Sequence, residues 1–401
     1  MNIPENVYHI IYKLNKNGYE AFAVGGCVRD MLMGLIPKDW DIATSALPHQ
    51  IKDVFVKTFD TGIKHGTVTV VLNTLNYEVT TYRIDGKYLD NRRPSEVFFT
   101  DNLIQDLLRR DFTINAIAWH PDIGYVDPYS GKIDIENKII RGVGIPGERF
   151  KEDALRMLRA VRFAATTGFI VEENTKRAII ENAFLIKEIS KERIKDEFIK
   201  IITSQCPECL ALLLDYGLMI NISPEINIYL SQHLDNIIIN LKKCNKTHVL
   251  CLSVFFQFAD AEFIKNILSY LRFDNKTVND TIIHVSWLKK EIDDCFYSVR
   301  KALSVIGPEF FDNVLYLKNI TNPDNNELIK NLHNKKNRII ENADCLSLKN
   351  LAVSGDDLIK HTGLCGKQIG EALVYSLDAV LHCPEKNDKE TLLNLLYCKQ
   401  S

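Results

Sequence analysis

Two runs of strand-forming residues, 66–72 (GTVTVVL) and 77–83 (YEVTTYR), lie four residues apart, and nothing like them recurs after about residue 150. β-Branched and aromatic side chains suit a pleated, half-buried surface, and the intervening 73–76 has hairpin chemistry. Weaker signals surround the pair. Ile3, Val7, Ile10, Ile11 and Leu14 recur at helical spacing. Residues 21–24 read as a strand ending in Gly25-Gly26, 28–33 as a helix, 40–42 as a strand, 124–126 and 139–141 as edge strands, and 127–131 (DPYSG) as a turn. Residues 152–165 read as one continuous helix, and helical periodicity with short polar breaks continues beyond it, as at 210–214, 237–241 and 312–317. The pattern predicts an α+β fold, with a mixed or antiparallel sheet and helices in a head over residues 1–140 and an all-helical remainder.

Composition narrows the class. Apolar residues make up 46% of the 401, enough for a sizeable core, and no apolar run approaches the ~20 residues that span a bilayer. The first 18 residues lack the charged-then-apolar layout of a secretory signal, so a soluble, cytoplasmic chain with no membrane partner is expected. Ten cysteines in that setting read as reduced thiols. Their one close pair, Cys206 and Cys209, lacks the second pair of a zinc site and reads as a Pro-containing helix start with two small buried side chains. The formal net charge of −3 does not advertise a polyanion partner, yet positive charge is concentrated at Arg92, Arg93, Arg109 and Arg110 and again at Arg156, Arg159 and Arg162.

Asp39-Trp40-Asp41 is the first candidate site. In a strand, residues i and i+2 share a face, so the two carboxylates sit side by side while Trp40 packs on the apolar face. Adjacent carboxylates repel unless a cation neutralises them, and Mg²⁺ favours one or two carboxylates together with phosphate oxygens. Upstream, Gly25-Gly26 opens a helix carrying Arg29 and Asp30. Glycine lets the backbone approach a phosphate, a helix N-terminus attracts anions, and Arg29 adds a donor fork matched to phosphate. Glu78 is the candidate third carboxylate, an outward-facing strand residue being the plain alternative. Arg110 and Asp111 read as donor and acceptor for a nucleotide's phosphates and sugar, since an Asp that accepts from a 2′-hydroxyl separates ribo- from deoxyribonucleotides. His65, before Gly66-Thr67, reads equally as a structural histidine or as part of a turn near the triphosphate.

These residues carry a family resemblance. Gly25-Gly26-Cys27-Val28-Arg29-Asp30, Gly34 and Asp39-Trp40-Asp41-Ile42-Ala43-Thr44 resemble the signature of the class II tRNA nucleotidyltransferases, which comprise CCA-adding enzymes and bacterial poly(A) polymerases. Residues 109–116 (RRDFTINA) resemble the family's ribose motif, 127–131 its hinge motif, 152–159 (EDALRMLR) its nucleotide-selecting helix, and Glu192-Arg193 with Glu197 its last motif. The match is dense over about 20–200 and looser beyond, where 351–358 and 366–370 are similar to later landmarks. The resemblance implies a polymerase-β-like nucleotidyltransferase head (1–140), a helical neck (141–202), a body (203–270) and a tRNA-binding tail (271–401). It implies template-independent addition of C, C and A to the tRNA 3′ end from CTP and ATP, with diphosphate released. The implied two-metal Mg²⁺ site lies at Asp39 and Asp41 with Glu78 as a further catalytic carboxylate, and Gly26, Arg29, Arg110, Asp111, Asp153, Arg156, Arg159 and Arg162 bind the nucleotide.

Base choice without a template follows from donor and acceptor patterns. Asp153 and Arg156, three apart on the expected helix, are neighbours; an ionised Asp only accepts and an Arg only donates. C and A each offer an amino donor beside a ring-nitrogen acceptor, whereas G and U offer the reverse, at a cost of ~1–3 kcal/mol per mismatched buried group. Arg159 and Arg162 continue the same ridge toward the triphosphate. Residues 83–98 read as a polar loop; CC-adding relatives typically lack part of it, so the resemblance implies full CCA or A addition over CC-only addition. The helical remainder is expected to grip the tRNA acceptor stem and elbow through phosphates and A-form shape, with Lys242, Lys243, Lys335 and Lys336 as candidate contacts or plain surface charges. A-only addition, poly(A) synthesis and a catalytically dead RNA- or nucleotide-binding module remain as rivals, and monomer and homodimer stay open.

Overall fold

A computed structural model gives the fold and describes residues 3–86 and 97–400. The chain forms two compact units, Met1–Ile238 and Ile239–Ser401. The first holds α1 (Glu5–Lys16), β1 (Ala21–Val24), α2 (Gly26–Leu32), β2 (Asp41–Thr44), α3 (Pro48–Val54), β3 (Thr58–Gly62), β4 (Thr67–Leu72), β5 (Leu75–Thr81), β6 (Arg83–Asp85), β7 (Val97–Phe99), α4 (Leu103–Leu108), β8 (Ala118–His120), β9 (Gly124–Val126) and α5 (Gly131–Glu136). It continues with β10 (Ile139–Ile140), α6 (Pro146–Glu152), α7 (Leu155–Thr167), β11 (Ile170–Val171), α8 (Glu173–Asn182), α9 (Lys191–Ile202), α10 (Leu210–Asp215) and α11 (Leu218–Ile222). The unit boundary falls inside α12 (Pro224–Lys243). The second unit is helical: α13 (His248–Phe255), α14 (Ala261–Tyr270), α15 (Asn275–Leu288), α16 (Phe296–Thr321), α17 (Asn326–Glu341), α18 (Gly355–Thr362), α19 (Lys367–His382) and α20 (Lys389–Gln400).

The expected α+β head is present. Its seven-stranded sheet has the order β3-β4-β5-β2-β1-β8-β9 and is mixed, because β2 and β5 run parallel while their other neighbours run antiparallel. One face buries Ile42, Val68, Val70 and Val79, and α1 and α3 supply Val7, Ile10, Ile11, Leu14 and Ile51 to the core. On the other face, Phe22, Val24 and Ala43 pack with Leu103 and Leu107 of α4.

Several local expectations change. The strand expected over 40–42 starts at Asp41, with Asp39 and Trp40 leading into it. Val24 pairs with Asp41, and Gly25 (φ +77°) then turns the chain into α2, so on the β1 side the pairing ends at Asp41. β3, whose TFDTG lacks alternation, was not foreseen from the pattern. Residues 139–140 pair in parallel with β11 as a separate ribbon and not on the main sheet. The expected continuous helix over 152–165 is two helices, α6 and α7, parted at Asp153, whose backbone is extended (φ −141°, ψ 101°). The Asp153 side chain accepts a hydrogen bond from Leu155 N–H at 3.1 Å, the kind of cap with which Asp competes against helix continuity. Cys206 precedes and Cys209 ends a 3₁₀ turn begun by Pro207, and both are half-buried, less buried than expected. Of the 83–98 loop, 83–86 and 97–98 are described and contribute to the β6–β7 ribbon; Arg92 and Arg93 lie outside the described residues.

The hinge motif is tied down tightly. Asp127 accepts from Gly131 N–H at 2.7 Å and from Lys132 N–H at 2.9 Å. A Cβ on Gly131 would lie 2.2 Å from the Thr113 carbonyl oxygen and 2.8 Å from Ile117 Cγ1. Backbone blocks one side, so relaxation is costly. Gly131→Ala is expected to destabilise the head by about 3 kcal/mol, at the upper end of overpacking costs, and to lower the melting midpoint by several degrees in a thermal scan.

Candidate active site

Asp39 and Asp41 line one cleft of about 740 Å³, a volume suited to a nucleotide-sized ligand. Its walls carry eight basic side chains, Arg29, Arg109, Arg110, Arg156, Arg159, Arg162, Arg193 and Lys200, against four carboxylates, Asp39, Asp41, Asp111 and Asp153. A chain of net charge −3 thus concentrates an anion-binding excess in one place. All the nucleotide-site residues expected from the sequence line this cleft, while Glu78 stands one strand away as the register partner of Asp41.

The carboxylates are crowded. Burial pushes the Asp41 carboxyl up, Glu78 and Asp39 push it further, and Arg110 opposes them. Unneutralised negative charge of this kind suits a divalent cation. Among the described residues no three His, Cys, Asp or Glu side chains gather closely enough to enclose an ion, so substrate oxygens would have to complete such a shell.

The cations are held in place. Arg29 gives Nη1 to Asn115 Oδ1 at 2.7 Å and Nε and Nη2 to Asp30 Oδ1 at 3.0 and 2.7 Å. Arg110 gives Nη2 to buried Asp106 at 3.1 Å, and its Nε is buried without a hydrogen-bond partner among the described residues. Gly25 makes room for it: a Cβ there would sit 2.9 Å from Arg110 Nη1. Arg162 stacks 3.8 Å over the Phe163 ring, with its Nε 2.6 Å from Glu197. Lys335 and Lys336 of the second unit are likewise engaged by carboxylates, Asp294 at 2.5 Å and Asp312 at 2.7 Å. His65 sits in a 3₁₀ turn with its carbonyl accepting from Arg83.

Asp111 is the buried hub. It accepts from Phe112 N–H at 2.8 Å and Asn115 Nδ2 at 3.0 Å through Oδ1, and from Arg159 Nε at 2.8 Å and Nη2 at 2.6 Å through Oδ2. Burial alone would raise this carboxyl, but Arg159 and the Asn115 hydrogen bond outweigh it and hold it well below the usual carboxylate range. Asn115 links the hub to Arg29, so sugar-side and phosphate-side groups form one network. A lowered folded value means stability that is complete above the unfolded value of ~3.9 and is lost as pH falls below it. Asp111→Asn is therefore expected to cost about 2 kcal/mol at pH 7, below the usual buried-pair range because Arg159 stays a third exposed, and the gap to wild type should close below about pH 4 in urea unfolding.

Asp153 and Arg156 do not pair with each other. Asp153 takes both Nη groups of Arg193, at 3.1 and 2.7 Å, across forty residues of sequence. Arg156 donates to Glu152 at 2.8 Å, the Arg149 carbonyl at 3.2 Å and the Arg109 carbonyl at 2.9 Å. The helix break turns Asp153 toward Arg193, so the one helix expected to carry both residues is two, and both still line the cleft. Arg193, Asn115, Phe163 and Lys200 line the cleft without having been singled out. Arg193 and Asn115 stood inside quoted motifs, which was the available signal.

Comparison with known proteins places the chain in a family. Residues 21–141 match the family model described as "Poly A polymerase head domain", and 168–230 match "Probable RNA and SrmB- binding site of polymerase A". The chain is 36% identical over 392 residues to the CCA-adding enzyme of Geobacillus sp. (strain WCH70), covering 96% of this chain and 94% of that protein. It is 51% identical over 215 residues to the CCA-adding enzyme of Geobacillus kaustophilus, covering 53% of each. A crystal structure of the Bacillus stearothermophilus CCA-adding enzyme in complex with CTP superposes with a TM-score of 0.86 at 31% identity, covering 100% of this chain and 98% of that one. The cleft, the fold and these full-length similarities lead to one conclusion: the chain belongs to the CCA-adding enzyme family of nucleotidyltransferases.

Proposed function

We propose that this chain adds C, C and A to the 3′ end of tRNA from CTP and ATP, releasing diphosphate. The observation that carries the reading is the single cleft that joins the Asp39–Asp41 carboxylates to an arginine wall and to Asp153. Asp39 and Asp41 would hold divalent cations, Mg²⁺ for preference, with Glu78 beside them. Bound there, two such ions supply a clamp on the attacking and leaving oxygens of an in-line displacement. The chain's own part is positioning. Gly25 and Gly26 leave room for the triphosphate, and Arg29, Arg110, Arg159 and Arg162 offer it donors. Asp111, whose two oxygens are filled by Phe112 N–H, Asn115 and Arg159, would accept from the ribose by exchanging one of the Arg159 bonds on Oδ2.

The base-reading arrangement supports C and A. Asp153 Oδ1 is filled by Leu155 N–H and Arg193, whereas Oδ2 takes one Arg193 bond and keeps room for an amino group. Arg156 Nη2 gives one proton to the Arg109 carbonyl and keeps one for a ring nitrogen. Residues 1–140 then act as catalytic head, 141–202 as neck, 203–270 as body and 271–401 as a tail for the tRNA acceptor stem and elbow. Among the described residues no helix is long and apolar enough to cross a membrane; a tRNA-processing role would be a cytoplasmic one. The test is incorporation onto tRNA lacking its CCA end, with products sequenced. Two C residues and one terminal A are expected; ATP alone would mean A addition, long tails poly(A) synthesis, and no incorporation a binding module.

A further inference from the structure

The cleft accounts for the nucleotide but leaves the RNA strand unplaced. In an in-line displacement the attacking hydroxyl and the leaving diphosphate stand on opposite sides of the phosphorus. Gly25 and Gly26, which suit the triphosphate, follow β1 on one side of β2, so the RNA 3′ end has to approach from the β5 side. There a row of register partners, Asp41, Glu78, Thr69 and Phe59, crosses β2, β5, β4 and β3, with Asp41, Glu78 and Phe59 exposed and Thr69 buried between them. Register partners point to the same face. Neighbouring positions on it carry more hydroxyls, with Thr67 and Thr80 Oγ1 3.0 Å apart and Thr61 and Thr69 Oγ1 2.8 Å apart. The row ends on an aromatic, Phe59, 54% exposed on the edge strand. Exposed Lys57 and Lys64 bracket that strand.

We propose that this hydroxyl-lined face of β5, β4 and β3 is the track of the RNA's 3′-terminal strand, with Phe59 as the platform on which an upstream base stacks. The inference rests on the nucleotidyltransferase reading above. Three strand spacings place Phe59 ~14 Å from Asp41, a few stacked nucleotides from the reacting end at ~3.4 Å each. Aromatic stacking is sequence-tolerant, as an enzyme acting on many RNA acceptors needs, and the flanking lysines suit a phosphate backbone.

The test uses full-length Phe59→Ala and Phe59→Trp, with Asp60→Ala as a control on the opposite face, where Asp60 pairs with Lys52 of α3. Nucleotide incorporation is measured on tRNA lacking its CCA end. Phe59→Ala is expected to raise the KM for RNA about ten-fold with kcat and nucleotide KM held, and Phe59→Trp to restore it. An RNA made abasic at the stacking position should weaken wild type and leave Phe59→Ala unchanged. The proposal is overturned if Phe59→Ala leaves the RNA KM unchanged, if Asp60→Ala has the same effect, or if Phe59→Ala alters only the gel-filtration size, which would make β3 a self-association edge. If wild type incorporates nucleotide and Phe59→Ala is indifferent, this inference alone fails; if wild type incorporates none, the reading beneath it fails and takes this one with it.

Discussion

Changing Asp39 and Asp41 together to Asn is expected to lower nucleotide incorporation at least about a thousand-fold while leaving RNA affinity nearly intact. Stabilising charge in the transition state of phosphoryl transfer supplies several kcal/mol, and ~4 kcal/mol corresponds to three powers of ten in rate. Asn keeps the size of Asp and removes the charge that would hold a cation. The fold should not suffer. Asp41 already stands among Glu78 and Asp39, and taking away like charges relieves repulsion. An unchanged or raised melting midpoint beside lost turnover would separate a functional pair from a structural one, the trade-off expected where a site is held in a destabilised state. Steady-state incorporation and a thermal scan on the same preparation check both parts.

The second large effect concerns selectivity. Asp153→Ala is expected to lower kcat/KM for CTP and ATP by about 10- to 100-fold and to shrink their preference over GTP and UTP to a similar degree. The amino group of C or A loses its acceptor, a loss of ~1–3 kcal/mol, while G and U no longer meet a mismatched carboxylate. Arg193→Ala should move the same ratio in the same direction by a smaller factor, because Arg193 grips Asp153 through two hydrogen bonds without being assigned to the base itself. Initial rates with each of the four nucleotides settle it, and equal losses for all four would mean that Asp153 supports the fold alone.

Much of this cleft was legible in the residues because its chemistry is local. Gly25-Gly26 before Arg29, Asp39 two residues from Asp41, and Arg110 beside Asp111 each carry their meaning within a few positions, and the cleft holds all of them. What spacing missed is long-range. Asp153 and Arg193 lie forty residues apart and meet with α7 packed against α9. The break at Asp153 arises because its carboxylate caps Leu155 N–H, a competition that helical periodicity over 152–165 does not register. Lys335 and Lys336 read as free surface cations until the helices of the second unit bring Asp294 and Asp312 to them. β3 escaped because a paired edge strand can form from TFDTG without any apolar alternation.

The most direct test of the whole account is a crystal structure of the full chain with CTP and Mn²⁺, read by anomalous scattering. Manganese signal is expected between the Asp39 and Asp41 carboxylates, with phosphate oxygens against the arginine wall and the cytosine amino group on Asp153. Manganese bound elsewhere, or a triphosphate seated outside this cleft, would contradict the account.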